Sequence, residues 1–505
     1  MIYLTTTAST IDGVLEQIQE NALWISGVEL RVDLLDEDER PLLARVPELV
    51  RERWGARLKL LSTVRRVADG GRSADADHAR LALQRAAVEA GFDYVDLEGD
   101  LPEGNDHAVV VAAARRAGVT VVRSWHDFER VPDDLDDLLR TLPRSEHEIA
   151  KIAVTPTCTA DLVRIVAAAD RLGDRRRIVL GMGRYGFPTR VLARRLGNEL
   201  TFASPAGQAA APGHVAPEVL ATRYRVSSHD ERTRYFAVIG DPIEHSKSPD
   251  YHNARFTQDD RNACYLPILV DDVDAFFQLA EQLPILGCSV TIPHKQAVIA
   301  HLTESGADVR ALGACNTLLR VPEGWRGVNT DVIGFLAPLE EVRPRPLHGA
   351  RVLVLGAGGA ARAVVYALAS RGAKVSIFNR TLEKAVSLAN ELASSATGGP
   401  IEVVEADDSG VPLTEPIAEI VVNTTSLGMH NEGDPAPWYR FRGTEVVYDI
   451  VYTPPETPMI RRAVEAGCRA ITGDRMFAAQ AAAQYELYRT PASTGADSEP
   501  ARSSD

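Results

Sequence analysis

The sequence predicts an α/β protein of two halves, a (β/α)8 barrel followed by a two-lobed α/β unit that ends in a Rossmann-like nucleotide-binding domain. Three observations predict it. Eight short, β-branched runs alternate with helix-length segments in the first 220 residues, a polar stretch without periodicity follows them, and a glycine-rich turn opens the last domain. The length of 505 residues is also too great for one compact core.

The barrel is predicted from strands that are short, apolar and regularly spaced. The predicted strands cover residues 2–7, 28–35, 58–64, 93–98, 119–125, 149–155, 177–183 and 200–203. The segments between them have apolar residues at helical spacing, with Asp, Ser or Thr near the start and Gly near the end. Eight such alternations within this length are typical of a closed parallel barrel.

The domain boundaries follow from changes in composition along the chain. Residues 222–235 are charged and aperiodic, which is typical of an interdomain linker. We therefore expect a barrel over 1–221, a substrate-binding α/β domain over 236–345, and a nucleotide-binding domain over 346–490 whose last helix returns to the substrate domain. The Pro-, Ser- and acid-rich tail, 491–505, is predicted to be disordered.

Charge and cysteine usage exclude several classes of function. The net charge of -15 disfavours binding to nucleic acid and to anionic membranes. No run approaches the ~20 apolar residues of a membrane-spanning helix, and the N-terminus lacks the pattern of a signal peptide, so we expect a cytoplasmic protein. The five cysteines are scattered and never form a C-x-x-C pair, which disfavours disulfides and a metal site.

Reactive side chains follow the predicted barrel strands at the ends where barrels of this type carry their chemistry. Lys151 lies in the apolar run EIAKIAV, where burial favours a neutral amine that can attack a ketone and form an iminium. His126 can then move a proton, with Glu98 or Glu29 fixing its tautomer. The remaining polar residues at these ends are Arg31, Asp33, Arg65, Asp96 and Arg190, and the forks of Arg65 and Arg190 suit a carboxylate.

The runs GVELRVDLL, YVDLE, SWHDF and KIAV, together with Arg190 and the later LTFASPAGQAAAPGH, resemble type I 3-dehydroquinate dehydratase over nearly all of residues 1–220. The resemblance implies that Lys151 forms a Schiff base, that His126 is the general acid and base, and that Glu98 orients His126. It also implies a pocket lined by Glu29, Arg31, Arg65, Arg190, Phe202 and Gln208. The implied reaction is loss of water from 3-dehydroquinate to give 3-dehydroshikimate.

The loop expected to cover this pocket departs from the pattern of that family. The family has Q-x-S-A-P-G-Q, whereas residues 208–214 read QAAAPGH, with Ala210 and His214 in place of Ser and Gln. Loss of a hydroxyl and gain of a titratable ring predict weaker or pH-dependent closure of the loop. We expect reduced substrate affinity before any loss of chemistry.

The run VLVLGAGGAARAVVYAL places Gly356, Gly358 and Gly359 between a strand and a helix, where a backbone can approach a pyrophosphate. The next strand pattern ends at Arg380, a position where NAD enzymes carry an acidic residue for the ribose hydroxyl. Arginine there, with Lys384 nearby, favours a 2′-phosphate and so predicts NADP.

Four polar, turn-rich runs precede that domain: GDPIEHSKSPDYHN (240–253), GCSVTIPHK (287–295), LGACNTL (312–318) and GVNTDVIGF (327–335). The hydroxyls of Ser246 and Ser248 can bind a carboxylate. The side chains that can bind ring hydroxyls and polarise a carbonyl for hydride transfer are Thr291, Lys295, Asn316 and Asp331.

With NTTSLGM (423–429), YDIVYTPPETP (448–458) and GDRMFAAQAA (473–482), these runs resemble shikimate dehydrogenase over about residues 235–490. The resemblance implies that Lys295 and Asp331 are the catalytic pair. It implies shikimate contacts from Ser246, Ser248, Thr291, Asn316, Tyr452 and Gln480. It implies NADP contacts from Gly356, Ala357, Gly358, Gly359, Ala360, Asn379, Arg380, Thr381, Lys384, Thr424 and Gly473. Ser289 stands where many relatives have Asn, which makes use of quinate conceivable.

The two resemblances imply consecutive reactions, because the product of the first is the substrate of the second. The sequence therefore predicts a bifunctional enzyme whose partners are these small molecules. A catabolic quinate/shikimate dehydrogenase that uses NAD is an alternative, against which Arg380 stands. A regulatory pseudoenzyme is another, against which the intact Lys151, His126, Lys295 and Asp331 stand.

Overall fold

The structure, a computed structural model, describes residues 1–102, 104–393, 398–407, 411–414 and 416–489. The predicted tail, 491–505, lies outside the described residues. The chain divides into two compact units, Met1–Ile285 and Leu286–Asp505. This division falls inside the range that the sequence assigns to the substrate-binding domain.

The first unit contains the barrel, as the sequence predicts. Its eight strands are β1 (Ile2–Thr5), β2 (Gly27–Arg31), β3 (Lys59–Thr63), β4 (Tyr94–Glu98), β5 (Thr120–Asp127), β6 (Ile149–Val154), β7 (Arg177–Gly181) and β8 (Thr201–Ala203). They pair in parallel in the order β7-β6-β5-β4-β3-β2-β1-β8. The helices around them are α1 (Ile11–Asn21), α2 (Val46–Trp54), α3 (Asp77–Ala90), α4 (Asn105–Ala117), α5 (Leu135–Thr141), α6 (Thr159–Arg171) and α7 (Gly183–Val191).

Asn198 links β7 to the segment that leads into β8. Its backbone forms a parallel bridge with Arg177. Its side-chain amide accepts a hydrogen bond from Val179 N at 2.8 Å and donates one to Val179 O at 2.9 Å. An amide side chain can replace a strand partner in this way because it carries the same donor and acceptor as a peptide group.

The rest of the first unit consists of β9 (Arg234–Gly240), α8 (Ser248–Gln258), β10 (Ala263–Leu269) and α9 (Val273–Gln282), with β9 and β10 parallel. This segment is tied to the barrel by packing of α9 on α6. Asp271 also caps α6, because its Oδ1 accepts from Thr159 N at 2.8 Å and from Thr159 Oγ1 at 2.6 Å. A capping carboxylate satisfies N–H groups that a helix leaves unpaired at its start.

The second unit begins with a small mixed sheet. Its elements are β11 (Ile285–Val290), β12 (Glu304–Ser305), α10 (Ala307–Leu312), β13 (Thr317–Val321), β14 (Gly324–Val328) and α11 (Asp331–Val342). β13 is antiparallel to both β11 and β14, and β12 runs parallel to β14.

A doubly wound parallel sheet follows, as predicted for the nucleotide-binding domain. Its elements are β15 (Arg351–Leu355), α12 (Gly359–Ser370), β16 (Lys374–Phe378), α13 (Leu382–Ala393), β17 (Ile401–Val403), β18 (Ile420–Asn423), β19 (Val446–Asp449), α14 (Pro458–Glu465), β20 (Arg469–Ile471) and α15 (Gly473–Arg489). The strand order β17-β16-β15-β18-β19-β20 reverses direction between β15 and β18. Ligands bind at such a switch point, beyond the carboxyl ends of the strands. The last helix, α15, packs against α11.

Candidate active sites

An open pocket of about 800 Å³, including its mouth, lies at the carboxyl ends of the barrel strands. Most of the residues that the sequence assigns to the dehydratase line it. These residues are Glu29, Arg31, Arg65, His126, Lys151, Arg190 and Phe202. The alternation of side chains along each strand brings them together, since residues two apart face the same side.

Lys151, on β6, lies at the centre of this pocket. Its Nζ donates to Asp96 Oδ2 at 3.1 Å and to Glu29 Oε1 at 3.4 Å, and it lies 4.6 Å from the centre of the Phe202 ring. Burial would raise the pKa of Glu29, but the positive charge of Lys151, followed by that of Arg31, holds that pKa below its ordinary value. The amine is thus fixed in place by two ionised carboxylates.

Asp96 is a site residue for which sequence analysis predicts no role beyond its place at a strand end. Its carboxylate accepts hydrogen bonds from Lys151, from Arg65 Nη2 at 2.8 Å and from Ser124 Oγ at 2.6 Å. Burial would raise its pKa, but Arg65 and Lys151 hold the pKa of Asp96 below its ordinary value. Asp96 therefore connects the lysine to an arginine of the pocket.

His126 lines the pocket near the end of β5, stacked on Phe128 with 6.2 Å between ring centres. Burial lowers its pKa well below the ordinary value, and the positive charges of Arg65 and Lys151 lower it further. Among the described residues, no partner hydrogen-bonds its buried Nδ1. The ring is therefore neutral at pH 7 and has a nitrogen available to a substrate.

The predicted contact between Glu98 and His126 is wrong. Glu98 Oε1 accepts from Arg80 Nη1 at 2.6 Å, and Glu98 lines a separate small cavity beside α3. The cause is Arg80, a buried guanidinium on α3 that requires an anionic partner. A different carboxylate, Asp69, lines the pocket that contains His126. Asp69 follows β3 and is paired with Arg66.

The buried arginines of the pocket differ in how much of their hydrogen-bonding capacity is used. Arg65 donates to Asp96 Oδ2 and to Ser124 Oγ, each at 2.8 Å. Arg31 forms a bidentate ion pair with Asp33, in which Nε donates to Oδ1 at 2.8 Å and Nη2 donates to Oδ2 at 2.7 Å. Both guanidinium groups therefore already have strong anionic partners.

Arg190 has only weak partners among the described residues. It donates to the backbone carbonyls of Phe202 and Pro212, each at 3.3 Å, and no partner reaches its buried Nε within the described residues. Burial lowers its pKa to about 10, so it is still charged at neutral pH. Arg190 is thus the guanidinium of the pocket best able to accept a new anion.

The loop 208–214 covers the pocket with Ala210, Ala211, Pro212 and His214. It is fastened by Ser204, whose Oγ accepts from Ala210 N at 3.0 Å and lies 2.5 Å from His214 Nδ1. Burial lowers the pKa of His214 well below its ordinary value, as do the nearby positive charges, of which Arg190 is the strongest. A neutral His214 therefore takes part in holding the loop closed.

Gln208, at the start of this loop, is exposed and turns toward the loop after β1. Its Oε1 accepts from Thr7 Oγ1 at 2.6 Å and from Gln17 Nε2 at 3.0 Å. It does not line the pocket. The sequence placed it among the substrate contacts, whereas these hydrogen bonds anchor the start of the loop.

In the second unit the structure brings together Lys295 and Asp331, with Nζ 2.5 Å from Oδ2. Asp331 begins α11, and its other oxygen, Oδ1, accepts from Asn316 Nδ2 at 2.7 Å. Lys295 lies in the loop after β11, where a turn that begins at Thr291 bonds His294 N to Thr291 O at 3.0 Å. Three predicted residues from three segments thus form one hydrogen-bonded group.

Gln480 and Tyr452 lie on or against α15. Gln480 packs on Gly334, one turn into α11, and a Cβ added to Gly334 would lie 2.5 Å from Gln480 Cβ. Tyr452 packs against Phe477 of the same helix, with 6.0 Å between ring centres. Glycine at 334 therefore allows the close approach that places Gln480 beside the helix of Asp331.

Ser246 and Ser248 belong to the first compact unit. Ser248 begins α8, and its backbone N donates to Ser246 Oγ at 3.3 Å. A hydroxyl in this position assists the start of a helix, and the N–H groups there favour an anionic ligand.

The predicted nucleotide turn lies at the switch point of the doubly wound sheet. Gly358 precedes α12, and a Cβ added to Gly358 or Gly359 would meet nothing within 4 Å, so the helix N-terminus is open to a phosphate. Gly356 has φ +109, and a Cβ there would lie 2.7 Å from Thr424 Oγ1. Ala357 and Ala360 flank the glycines of this turn.

The residues after β16 suit the far end of a dinucleotide. Asn379 Nδ2 donates to Thr381 O at 2.8 Å, which fixes the turn. The side chain of Arg380 is exposed in this turn, and that of Lys384 is exposed in the first turn of α13, where their positive charges can meet a phosphate. Gly473, at the start of α15, has a structural reason to be glycine, since a Cβ would lie 2.3 Å from Ile450 O.

Two features are absent from the part of the chain that the structure describes. No helix there is both long and apolar enough to cross a membrane. No group of three or more His, Cys, Asp and Glu side chains there could hold a metal ion.

Comparison with known families divides the chain in the same way as its sites do. Residues 2–231 match the family model for type I 3-dehydroquinase. Residues 238–318 match the shikimate dehydrogenase substrate binding domain, and residues 340–415 match shikimate / quinate 5-dehydrogenase.

Two relatives found by sequence agree with these matches. The chain is 31% identical to a chloroplastic bifunctional 3-dehydroquinate dehydratase/shikimate dehydrogenase of Arabidopsis thaliana over 95% of this chain and 80% of the relative. It is 40% identical to an NADP(+) shikimate dehydrogenase of Salinibacter ruber over 51% of this chain and 93% of the relative. A solved structure of dehydroquinate dehydratase and shikimate dehydrogenase from S. pombe is 22% identical, with a TM-score of 0.43, over 97% of this chain and 95% of that one.

The full-length similarity and the three family matches agree on two activities in one chain. The first half is a 3-dehydroquinate dehydratase, and the second is a shikimate dehydrogenase. With a lysine-centred barrel pocket followed by a lysine–aspartate pair and a nucleotide turn, the chain belongs to the bifunctional 3-dehydroquinate dehydratase/shikimate dehydrogenase family.

Proposed function

We propose that dehydration takes place at Lys151, by a Schiff base with the ketone of 3-dehydroquinate. Lys151 first gives its ammonium proton to one of the two neighbouring carboxylates, and the free amine attacks the carbonyl carbon. Loss of water then gives an iminium that acidifies the neighbouring C–H bond. The observation that supports this most is the position of Lys151 Nζ, held by Glu29 and Asp96 in the pocket that His126 also lines. Hydrolysis of the conjugated iminium by water returns the free amine and 3-dehydroshikimate.

His126 moves the proton in this proposal. As a neutral base it takes the proton from the acidified carbon, and as the resulting acid it gives a proton to the departing hydroxyl, which leaves as water. Arg190 binds the substrate carboxylate, because its Nε has no partner among the described residues. Arg31, Arg65 and Phe202 complete the walls of the pocket.

The pH dependence of dehydration follows from the lowered pKa of His126. A base with a lowered pKa stays neutral as the pH falls through its ordinary value of about 6.5. The acid limb of kcat/KM for 3-dehydroquinate should therefore lie below about pH 6.5. A pH profile of enone formation measures this acid limb. Replacing His126 with asparagine is expected to lower kcat roughly 10²- to 10⁴-fold. An acid limb centred at or above pH 6.5 would contradict a buried neutral base.

Asp69 rather than Glu98 is the carboxylate that assists His126 in this proposal. Asp69 shares the pocket with His126, whereas Glu98 is bonded to Arg80 in another cavity. We expect Asp69→Asn to lower dehydratase kcat by about 10-fold or more with little change in the free energy of unfolding.

Glu98→Gln is the matched comparison for Asp69→Asn. It should instead lower the free energy of unfolding, because it leaves the buried guanidinium of Arg80 with the half-exposed Asp77 as its remaining anion. Steady-state kinetics and thermal unfolding of both variants separate the two roles. A larger loss of kcat in Glu98→Gln than in Asp69→Asn would restore the assignment made from sequence.

Reduction takes place at Lys295 and Asp331 in this proposal. Lys295 donates a hydrogen bond to Asp331 and gives a proton to the substrate oxygen as the carbonyl becomes an alcohol. Asn316 fixes Asp331, and Ser246, Ser248, Thr291, Tyr452 and Gln480 are proposed to contact shikimate. Bound NADPH supplies the hydride.

The cofactor site is proposed to use the turn from Gly356 to Ala360 for the pyrophosphate, with Thr424 and Gly473 beside it. Asn379, Arg380, Thr381 and Lys384 form the turn for the adenosine end, where Arg380 meets the 2′-phosphate. We expect Arg380→Ala to raise KM for NADPH by roughly 10-fold or more, as loss of a charge-assisted contact would. KM for NADH should stay within about 2-fold, because NADH has no 2′-phosphate. Equal rises in both constants would remove Arg380 from cofactor discrimination.

We also propose which small molecules bind to the protein and where in the cell it is located. The small-molecule partners are 3-dehydroquinate, 3-dehydroshikimate and shikimate, with no nucleic acid and no membrane among them. The proposed cytoplasmic location rests on the cysteines, which are few, scattered and never in a C-x-x-C pair. The domain boundaries proposed are those stated from the sequence.

A further inference from the structure

Gln484, near the end of α15, is a buried residue that neither half of the site assignment includes. Only 1% of it is exposed, and it lies one helical turn after Gln480. We propose that Gln484 is a positioning residue of the shikimate dehydrogenase, which holds Asn316 and, through it, Asp331. This inference rests on the proposed function, since it takes Lys295 and Asp331 as the catalytic pair.

The contacts of Gln484 lead directly to Asn316. Gln484 Nε2 donates to Thr317 Oγ1 at 2.9 Å and to the backbone carbonyl of Asn316 at 3.4 Å. Thr317 Oγ1 in turn donates to Asn316 Oδ1 at 2.7 Å. Asn316 is therefore held at its backbone and, through one hydroxyl, at its side chain.

Asn316 passes this restraint to the catalytic pair. Its Oδ1 also accepts from Thr330 N at 2.8 Å, which leaves Nδ2 to donate to Asp331 Oδ1 at 2.7 Å. The other oxygen of Asp331 faces Lys295 Nζ at 2.5 Å. A displacement of Asn316 would therefore alter the orientation of the carboxylate toward the lysine.

The direction of the hydrogen bonds explains why an amide is needed at 484. A threonine hydroxyl has one proton, and because Gln484 Nε2 is a donor to Thr317 Oγ1, that proton stays free for Asn316 Oδ1. A glutamate at 484 has no N–H, so the Thr317 proton would turn to it and leave Asn316. All of these groups are buried, where an unmade hydrogen bond is costly.

Ser289 belongs to the same network. Its Oγ donates to Gln484 Oε1 at 2.9 Å and lies 3.1 Å from Tyr488 OH. Position 289 has Ser where many relatives have Asn, and the short Ser289 side chain is in contact with the longer amide side chain of Gln484 on α15. Ser289 fixes the acceptor end of Gln484, which leaves Nε2 for Thr317.

The test begins with Gln484→Glu in the full-length chain, which changes the direction of bonding at nearly constant shape. We expect kcat for reduction of 3-dehydroshikimate to fall roughly 10- to 100-fold, because a small misplacement of catalytic groups has an effect of this size. The pH profile of this kcat should also shift. KM for NADPH and the dehydratase rate of the same sample should stay unchanged. Tyr488→Phe is the matched control, since Ser289 can still donate to Gln484 without the phenol, and it should change kcat less than 2-fold.

Gln484→Met removes the amide without burying a charge and keeps the test available if the glutamate variant does not fold. A second background, Thr317→Ala, distinguishes positioning from general destabilisation, because it already breaks the path to Asn316. The loss caused by Gln484→Glu should then shrink to less than about 3-fold, as expected of coupled residues. An unchanged kcat and pH profile, or the same loss in both backgrounds, would overturn the inference.

Lys295→Met, measured in parallel, tests the proposed function separately, since retention of reductase activity by this variant would refute Lys295 and Asp331 as the catalytic pair.

Discussion

Replacing Lys151 with alanine is expected to lower the turnover number for dehydration by on the order of 10⁴-fold or more, as the loss of a covalent nucleophile does elsewhere. The reason is that the other groups of the pocket can bind and move protons but cannot form an iminium. Appearance of the conjugated enone from 3-dehydroquinate measures the rate. Borohydride reduction followed by intact mass measurement should show a covalent adduct on the parent chain and none on the variant.

Lys59→Ala is the matched control for this experiment. Lys59 is an exposed lysine that begins β3 and pairs with Asp93 at 2.8 Å, away from the pocket. It should keep both the dehydratase rate and the trapped adduct. Turnover by Lys151→Ala at the parent rate, or an adduct that persists in it, would refute the assigned nucleophile.

Replacing Lys295 with methionine should lower the turnover number for reduction of 3-dehydroshikimate by roughly 10²- to 10⁴-fold, the range for loss of a general acid. Methionine keeps much of the length of the side chain but cannot give a proton to the substrate oxygen. Consumption of NADPH measures the rate. The dehydratase rate of the same preparation should be unchanged, which would show that the barrel is intact.

Two companion variants make the result specific. Lys374→Met makes the same chemical change at an exposed position that begins β16, and it should leave reduction within about 2-fold, as expected of a surface site. Asp331→Asn should lower kcat in the same range as Lys295→Met, because the partner that orients the lysine loses its charge. Normal reduction by both Lys295→Met and Asp331→Asn would contradict the proposed pair.

The sequence predicts the barrel and the chemistry at its strand ends because both depend on local pattern. A strand such as β6 is short and fully buried, so a lysine within it is enclosed by the protein and needs polar partners there. Lys151 and His126 are therefore recognisable from their places in strands, whereas Arg190 lies in α7, the helix that follows β7. The same reasoning applies to Lys295 and Asp331, which stand in turn-rich runs beside buried strands.

The carboxylate proposed to assist His126 could not be predicted in this way, because the availability of Glu98 depends on what a distant helix contributes. Glu98 ends β4, as a catalytic carboxylate would, but the buried Arg80 of α3 takes it. Asp69 lies in a loop after β3, where the chain carries no periodic signal. Its position at the carboxyl end of a barrel strand, directly before two glycines, is the sequence feature that could have indicated it.

The network around Gln484 shows a second limit of sequence reasoning. Its members come from four separate segments, and each alone is an ordinary polar residue. Only the packing of α15 beside β13 places the Gln484 amide on Thr317. Gln208 is the opposite case, since a residue of a functional loop is held by Thr7 and Gln17 outside the pocket.

The most direct test of the central claim, two reactions at two separate lysines of one chain, is a mixing experiment. Full-length Lys151→Ala and Lys295→Met are each supplied with 3-dehydroquinate and NADPH, alone and together, while the enone and NADPH are followed. Lys295→Met alone should accumulate 3-dehydroshikimate, Lys151→Ala alone should form none, and the mixture should convert the substrate with consumption of NADPH. Loss of both reactions in either folded variant, or a mixture that consumes no NADPH, would contradict two independent sites.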